Sequence, residues 1–324
     1  MEKRVLAISS HVVHGYVGNR ASTLPLQLLG WDVDVLNTVN FSNHTGYRHI
    51  QGTRITGPEM RALFEGLKTN SLAEYDVVLT GYVPGAEAVA EAGKVVGELR
   101  EQNSDLVWVL DPVMGDEDKL YVSEDVIPEY EKQISNATVI TPNQFETELL
   151  SGMKLKTEDD VKIALGKLYE KFKVPNIIVS SAVLEHDATE FICAGQSVVA
   201  GETHQFYLRL PFIDAYFTGT GDLFSSMVAD RYFHHMHTDC LVPLIPAVEE
   251  ASAIIQAVLR RTADEVDKYN AKADAEAAAT GIARPEKGTR ERRVLDMKHG
   301  ELRLIQSQDA FIHPVVSARA LKWT

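Results

Sequence analysis

The stretch FTGTGDLFSS at 217–226 places Gly219, Thr220 and Gly221 directly before Asp222, where a polar turn meets an apolar run. Glycines let a backbone approach a phosphate closely, and the N–H groups that open a helix bind anions. An acid at this seam has two readings: Thr220 or Asp222 caps a helix, or Asp222 is the base of a phosphoryl transfer. A cap needs no second glycine, which favours the anion site. Two more acidic clusters have useful spacing. DPVMGD sets Asp116 five residues after Asp111 across a Pro/Gly turn, and TPNQFETE supplies Asn143 and Glu146. Converging carboxylates of this kind hold a magnesium–phosphate complex, usually through water, because Mg2+ keeps part of its hydration shell. Either cluster alone also fits a turn or a helix cap. SSHVVHGYVGN and NFSNHTGY are dense in hydroxyls, imidazoles, aromatics and glycine, a mixture that suits a small polar ring but also occurs in ordinary loops.

Other chemistries are disfavoured. The chain contains no GxxxxGK[ST] and no GxGxxG after its first strand-like segment, which removes a Walker-type loop and weakens a dinucleotide site. His234, His235 and His237 would face different ways on a helix, with no cysteine or acid spaced to complete a tetrahedron.

These groups need elements to position them. Val5–Ser9, WDVDVLNTV, EYDVVLTGYV, DLVWVLDPV, ATVITPN and PNIIVSS read as strands. They alternate with helical segments near Asn19–Leu29, Pro58–Thr69, Ala86–Gln102, Ser123–Ile134 and Glu158–Phe172. Strand–helix alternation of this kind predicts βαβ units and a mostly parallel sheet covered on both faces, a three-layer α/β/α arrangement. TEFICAG, QSVVAG and HQFYLRL read as three short antiparallel strands. Helices are expected over Asp222–Phe233 and Pro243–Asn270, an exposed helix tail and loop over 271–293, and a final strand at GELRLIQS. No linker or repeat divides the chain, so residues 1–324 are expected to form one domain. Ligands of open parallel sheets sit beyond the carboxyl ends of the strands. The polar residues there (Ser10-His11, 40–47, Gly81-Tyr82, 111–116, 141–146, Ser180-Ser181) would share one edge.

Composition narrows the partners. The 324 residues are 45% hydrophobic and 24% charged, with a formal net charge of −14. That balance fits a soluble globular chain and argues against nucleic acid; the cluster Arg290, Arg292, Arg293 reads as a solvated turn. Any anionic ligand must be held by local loops against the overall field. Cys193 and Cys240 are too few for a disulfide framework and suit a reducing compartment. The apolar run in MEKRVLAISSHVV is too short for a signal peptide, and no stretch is long enough to span a bilayer. A cytoplasmic location is the expectation.

Together, SHVVHGYVGNRA, VNFSNHTGY, YDVVLTGY, LDPVMGD, TPNQFETELLSG and GTGDLF, in this order over about residues 5 to 235, resemble the pyridoxal kinases of the ribokinase-like superfamily. The related hydroxymethylpyrimidine kinases usually carry a GAGD-type loop and lack SNHTGY. The resemblance implies ATP-dependent phosphorylation of the 5′-hydroxymethyl group of pyridoxal, with pyridoxine and pyridoxamine as further substrates, in vitamin B6 salvage. It also implies a homodimer, Mg2+ or another divalent cation, and K+ as an additional helper. By position, Asp222 would be the catalytic base and Gly219, Thr220 and Gly221 the anion hole. Ser10 and Thr45 would hydrogen-bond the pyridine ring, with Tyr82 and Val17 packed near it. Asp111, Asp116 and Glu146 would serve the metal, and Asp111, Asn143, Thr141, Ser180, Thr220 and Gly221 the nucleotide. Two departures stand out: EDKLYVSED after Asp116 is shorter than the glycine-containing lid of animal relatives, and the 271–293 tract is longer than usual. A non-catalytic vitamin or nucleotide sensor on the same fold is the alternative class; loss of the base or of the metal carboxylates would mark it, and neither is lost.

Overall fold

In the computed structural model, which describes residues 3–47, 49–116, 118–184, 189–286 and 288–323, the short apolar runs assemble into one sheet because their residues alternate between two faces. Its strands in chain order are β1 (Lys3–His14), β2 (Trp31–Asn43), β3 (Gly52–Arg54), β4 (Val77–Thr80) and β5 (Val107–Leu110). A separate hairpin follows, β6 (Gly115–Asp116) and β7 (Lys119–Leu120), then β8 (Val139–Ile140), β9 (Asn176–Ala182), β10 (Glu190–Val199), β11 (Glu202–Pro211) and β12 (Leu321–Lys322). Glu117, in the segment after Asp116, and Lys287, in the 271–293 tract, lie outside the described residues. The sheet order is β12-β11-β10-β9-β8-β5-β4-β1-β2-β3. Strands β2, β1, β4, β5, β8 and β9 run parallel, with antiparallel strands at both edges.

The helices are α1 (Asn19–Leu28), α2 (Gly57–Thr69), α3 (Ala86–Gln102), α4 (Val126–Ile134), α5 (Gln144–Ser151), α6 (Glu158–Phe172), α7 (Thr220–Met236), α8 (Leu244–Thr280), α9 (Arg290–His299) and α10 (Gln308–Ile312). On β5, Trp108 and Leu110 join the core beneath α2, α3, α4 and α6. Their neighbours Val107 and Val109 join the core beneath α1, α7 and α8. Successive side chains of a strand point to opposite faces, so a strand apolar at every position must be covered twice. The expected three layers follow. Among the described residues, no helix is long and apolar enough to cross a membrane.

Four details differ from the sequence reading. First, TEFICAG and QSVVAG form one strand, β10, so two strands stand where three were expected. Gly195, which reads as a break, lies opposite Phe206 of β11, and a Cβ there would sit 2.5 Å from its ring. The glycine accommodates an aromatic ring rather than a turn. Second, GELRLIQS is not a strand. Leu302 and Leu304 are buried against α8, and the Arg303 N–H donates to Thr262 Oγ1 at 3.1 Å. The alternation is that of an extended segment packed on a helix, and the sheet edge is taken by β12 instead.

Third, α8 continues to Thr280, and Arg290, Arg292 and Arg293 open helix α9, where Thr289 caps Arg292 N–H. The tract thus holds a helix as well as a tail and loop. His299 of α9 stacks on Tyr269 of α8 with ring centroids 3.4 Å apart. Fourth, β1 and β2 outrun the sheet. Beyond the pair Ile8–Thr80 with β4, β1 stays paired to β2 through a register shift after Ser9 as far as His14 and Asn43. Ser10, His11 and Asn40 therefore lie within strands, not after them.

Candidate active site

The acidic side of the candidate site is built from the end of β5 and the starts of α5 and α7. Helix α7 begins at Thr220 with Gly219 as N-cap and no side-chain capping hydrogen bond, so its first N–H groups are not taken by the cap that either Thr220 or Asp222 could have formed. Gly219 has φ +79°, and a Cβ there would stand 1.9 Å from the Tyr16 carbonyl oxygen; only glycine fits both demands. Asp222, in the first turn, is half-buried by its accessible surface. The surrounding protein raises its carboxyl above the ordinary range, opposed by the Gly18 N–H and the Ser9 hydroxyl. Ser9 Oγ is itself enclosed and lies near that carboxylate without regular hydrogen-bond geometry to any group. A methyl on Gly81, at the end of β4, would meet Asp222 Oδ1 at 3.5 Å. The carboxylate therefore sits where β1, β4 and α7 converge.

Asp111 stands at the end of β5, 6% exposed. A Cβ on Gly221 would be 3.7 Å from its Oδ2, which places the two clusters of the sequence on one cleft. Burial, then the charges of Glu146 and Asp222, drive the Asp111 carboxyl well above its usual value, with Thr141 opposing. Asn143 and Glu146 form a capping box on α5: the Asn143 side chain accepts Glu146 N–H at 2.8 Å, and Glu146 Oε2 accepts Asn143 N–H at 3.0 Å. Glu146 Oε1 also accepts from Met114 N at 2.8 Å, and Asn143 Nδ2 donates to Gly115 O at 2.7 Å. The cap reading of this pair is correct, and the same bonds fix the turn from Asp111 to Asp116. Burial pushes Glu146 up to about 8 against these donors, with the Asp116 charge adding to the rise. Ser180 anchors β9 to this loop through its N–H to Pro142 O at 2.9 Å.

An apolar cluster adjoins these carboxylates through Gly81-Tyr82 and Val17-Gly18. Val12, Val39 and Phe41 on the projecting parts of β1 and β2 form a small cluster, joined by Val17, Ile50 and Tyr82. The Tyr82 carbonyl accepts Thr38 Oγ1 at 2.6 Å. Ser10 is buried beside the Gly18 turn, and Thr45 is exposed on the loop after β2. Sequence reasoning missed Glu301. It is 4% exposed and accepts from Tyr16 N–H and Tyr47 Oη, on the two loops that bound the apolar cluster. Its neighbours in sequence resemble a strand, and no local signal marks it.

A divalent cation fits the charge of this donor set, since Asp111 faces Glu146 and Asp222 and each carboxylate raises the cost of ionising the others. Among the described residues, however, no three acidic, histidine or cysteine side chains close on one point, and both Glu146 oxygens accept backbone N–H groups. The residues fit a hydrated ion held through water, with Asp111 buried at the strand end and Glu146 fixing the turn that leads to Asp116.

Known proteins resemble this chain in sequence and in fold. The family model described as phosphomethylpyrimidine kinase matches residues 39–273. The pyridoxal kinase of Bos taurus is 42% identical over 272 residues, covering 81% of this chain and 86% of its own. That of Arabidopsis thaliana is 37% identical over 322 residues, 99% and 95% of the two chains. The structure of pyridoxal kinase from Leishmania donovani in complex with ADP and pyridoxine superposes with a TM-score of 0.83 at 32% identity, covering 100% of both chains. Likeness of this extent in sequence and in fold shows that this chain belongs to the pyridoxal kinase family of the ribokinase-like superfamily.

Proposed function

We propose that Asp222 is the general base that receives the proton of the vitamer 5′-hydroxyl as its oxygen attacks the γ-phosphorus of ATP. One O–P bond forms, the bond to the ADP oxygen breaks, and the proton ends on the Asp222 carboxylate. An alcohol is too weakly acidic to be deprotonated beforehand, so acceptance accompanies bond formation. The observation that carries this reading is the position of Asp222, inside the uncapped first turn of α7 and beside Asp111 across Gly221. The N–H groups of 219–221 would hold the transferring phosphoryl group, with donors aimed at developing charge. Ser10 and Thr45 would orient the pyridine ring against Tyr82 and Val17, and Thr141, Asn143 and Ser180 would line the nucleotide side. Mg2+ or a similar ion would sit through water between Asp111, Asp116 and the phosphates, where it neutralises charge. K+ rests on the resemblance alone.

The remaining expectations stand as proposals with separate supports. A single domain over 1–324 is supported by one continuous ten-stranded sheet, a homodimer rests on the resemblance alone, and a cytoplasmic setting is supported by two unpaired cysteines. A second substrate class has one support, the phosphomethylpyrimidine kinase description of the matching model; the SNHTGY loop weighs against it. A coupled assay of purified protein with ATP, three vitamers and a panel of divalent metals tests the assignment, with hydroxymethylpyrimidine as competitor. Pyridoxal 5′-phosphate should form only with ATP and metal. Preferential turnover of the pyrimidine would overturn the substrate assignment.

A further inference from the structure

Glu301 collects donors from segments far away in sequence. Its Oε2 accepts Tyr16 N–H at 2.9 Å across 285 residues, and its Oε1 accepts Tyr47 Oη at 3.2 Å across 254 residues. His44 Nε2 lies 3.2 Å from the same Oε1. The imidazole has a defined tautomer, because its Nδ1 accepts Gly46 N–H at 3.2 Å; the proton of the neutral ring then sits on Nε2, facing Glu301. His44 Nε2 is also 3.4 Å from Thr218 Oγ1, and Thr218 directly precedes the 219–221 loop. Donors outweigh burial at Glu301 and keep its carboxyl below the usual range. The far side of the loop is closed by α9, where a Cβ on Gly46 would stand 3.5 Å from Met297 Sδ.

We propose that Glu301, acting through His44, is a positioning residue that holds the vitamer-side loop 44–47 in register with the phosphoryl loop 218–222. The inference rests on the kinase reading above. A buried carboxylate is a poor device for stability alone, because desolvation of the charge offsets much of what its partners return. As a positioning device it is well suited: one charge fixes Tyr16, His44 and Tyr47 at once, and His44 reaches Thr218. On the kinase reading, loop 44–47 orients the vitamer ring and loop 218–222 holds the phosphoryl group and the base, and a misplacement of about 1 Å between them can cost on the order of 100-fold in rate.

The test uses the full chain with Glu301→Gln, His44→Gln and the double variant, measuring Tm, KM for pyridoxal, KM for ATP and kcat. Glu301→Gln should lower kcat/KM for pyridoxal by about 10- to 100-fold, leave KM for ATP within about twofold, and combine non-additively with His44→Gln. A lower Tm with unchanged pyridoxal kinetics, equal effects on both substrates, or strict additivity would overturn it. Should Glu301→Gln fail to fold, His44→Gln alone must show the same pyridoxal-selective loss, or the proposal falls. Active wild type with an indifferent Glu301→Gln overturns this inference alone; inactive wild type overturns the kinase reading together with it.

Discussion

The two walls of the cleft are made in different ways. The proposed phosphate wall is assembled from short pieces, each with its own local pattern: the strand end and tight turn at Asp111, the capping box at Asn143–Glu146 and the glycine-opened helix start at Gly219–Asp222. Glu146 and Asn143 are also bonded to Met114 and Gly115. The vitamer wall hangs from β1 and β2 where they leave the sheet, and its loop is tied down by Glu301 from the other end of the chain. The first wall gathers carboxylates that raise one another's pKa, while the second gathers apolar area and a single carboxylate satisfied by its donors. On the proposed reading, a site divided in this way would let the acidic wall serve ATP and a metal while the apolar wall selects the acceptor.

The contrast predicts that lesions on the phosphate wall act on kcat more than on vitamer affinity. The largest such effect is expected at the glycine loop. Gly219→Ala puts a Cβ against the Tyr16 carbonyl at a positive φ, displacing the α7 donors, and kcat should fall on the order of 100-fold. Near-normal kcat would show that this loop does not hold the phosphoryl group. A smaller effect concerns stability. Glu146 is pushed up to about 8 from 4.5, so the fold binds its proton more tightly than the unfolded chain does. The stabilisation is complete below about pH 4.5 and is lost as pH rises through about 8. Metal-free protein should lose a few degrees of Tm over that window. Glu146→Gln should flatten the loss, and Mg2+ with ATP should oppose it; a Tm of wild type that rises across the window would contradict the charge assignment. The smallest effect is expected at Lys154, whose Nζ reaches Asp118 at 2.8 Å beside the β6–β7 hairpin and Glu148 at 2.5 Å. All three are at the surface or near it, where such pairs contribute about 0–1 kcal/mol. Lys154→Ala should change KM for ATP by no more than about threefold, and a larger change would make the hairpin a stronger part of the nucleotide site.

The same division decides what could be read from the sequence. Alternating strands and helices, the Gly219–Asp222 loop and the Asn143–Glu146 capping box are local patterns, and the structure places them as their spacing indicates. The errors arise where a distant contact gives a residue its role. Gly195 looks like a break until Phe206 is placed across from it. Leu302 and Leu304 look like a strand until α8 is seen to bond that backbone. Ser10 looks like a loop residue because only the pairing of β1 with β2 extends the strand past it. Glu301 has no local signature, since its partners lie more than 250 residues away.

The central claim is that Asp222 takes the proton at the moment of transfer. Asp222→Asn keeps size and hydrogen-bonding capacity but removes the base, so single-turnover formation of pyridoxal 5′-phosphate, with ATP and pyridoxal binding measured on the same protein, tests it most directly. Both ligands should bind within a few-fold of wild type while the transfer rate drops about 100- to 10,000-fold. Transfer at a near wild-type rate, or loss of activity explained by loss of ATP binding, would contradict the claim.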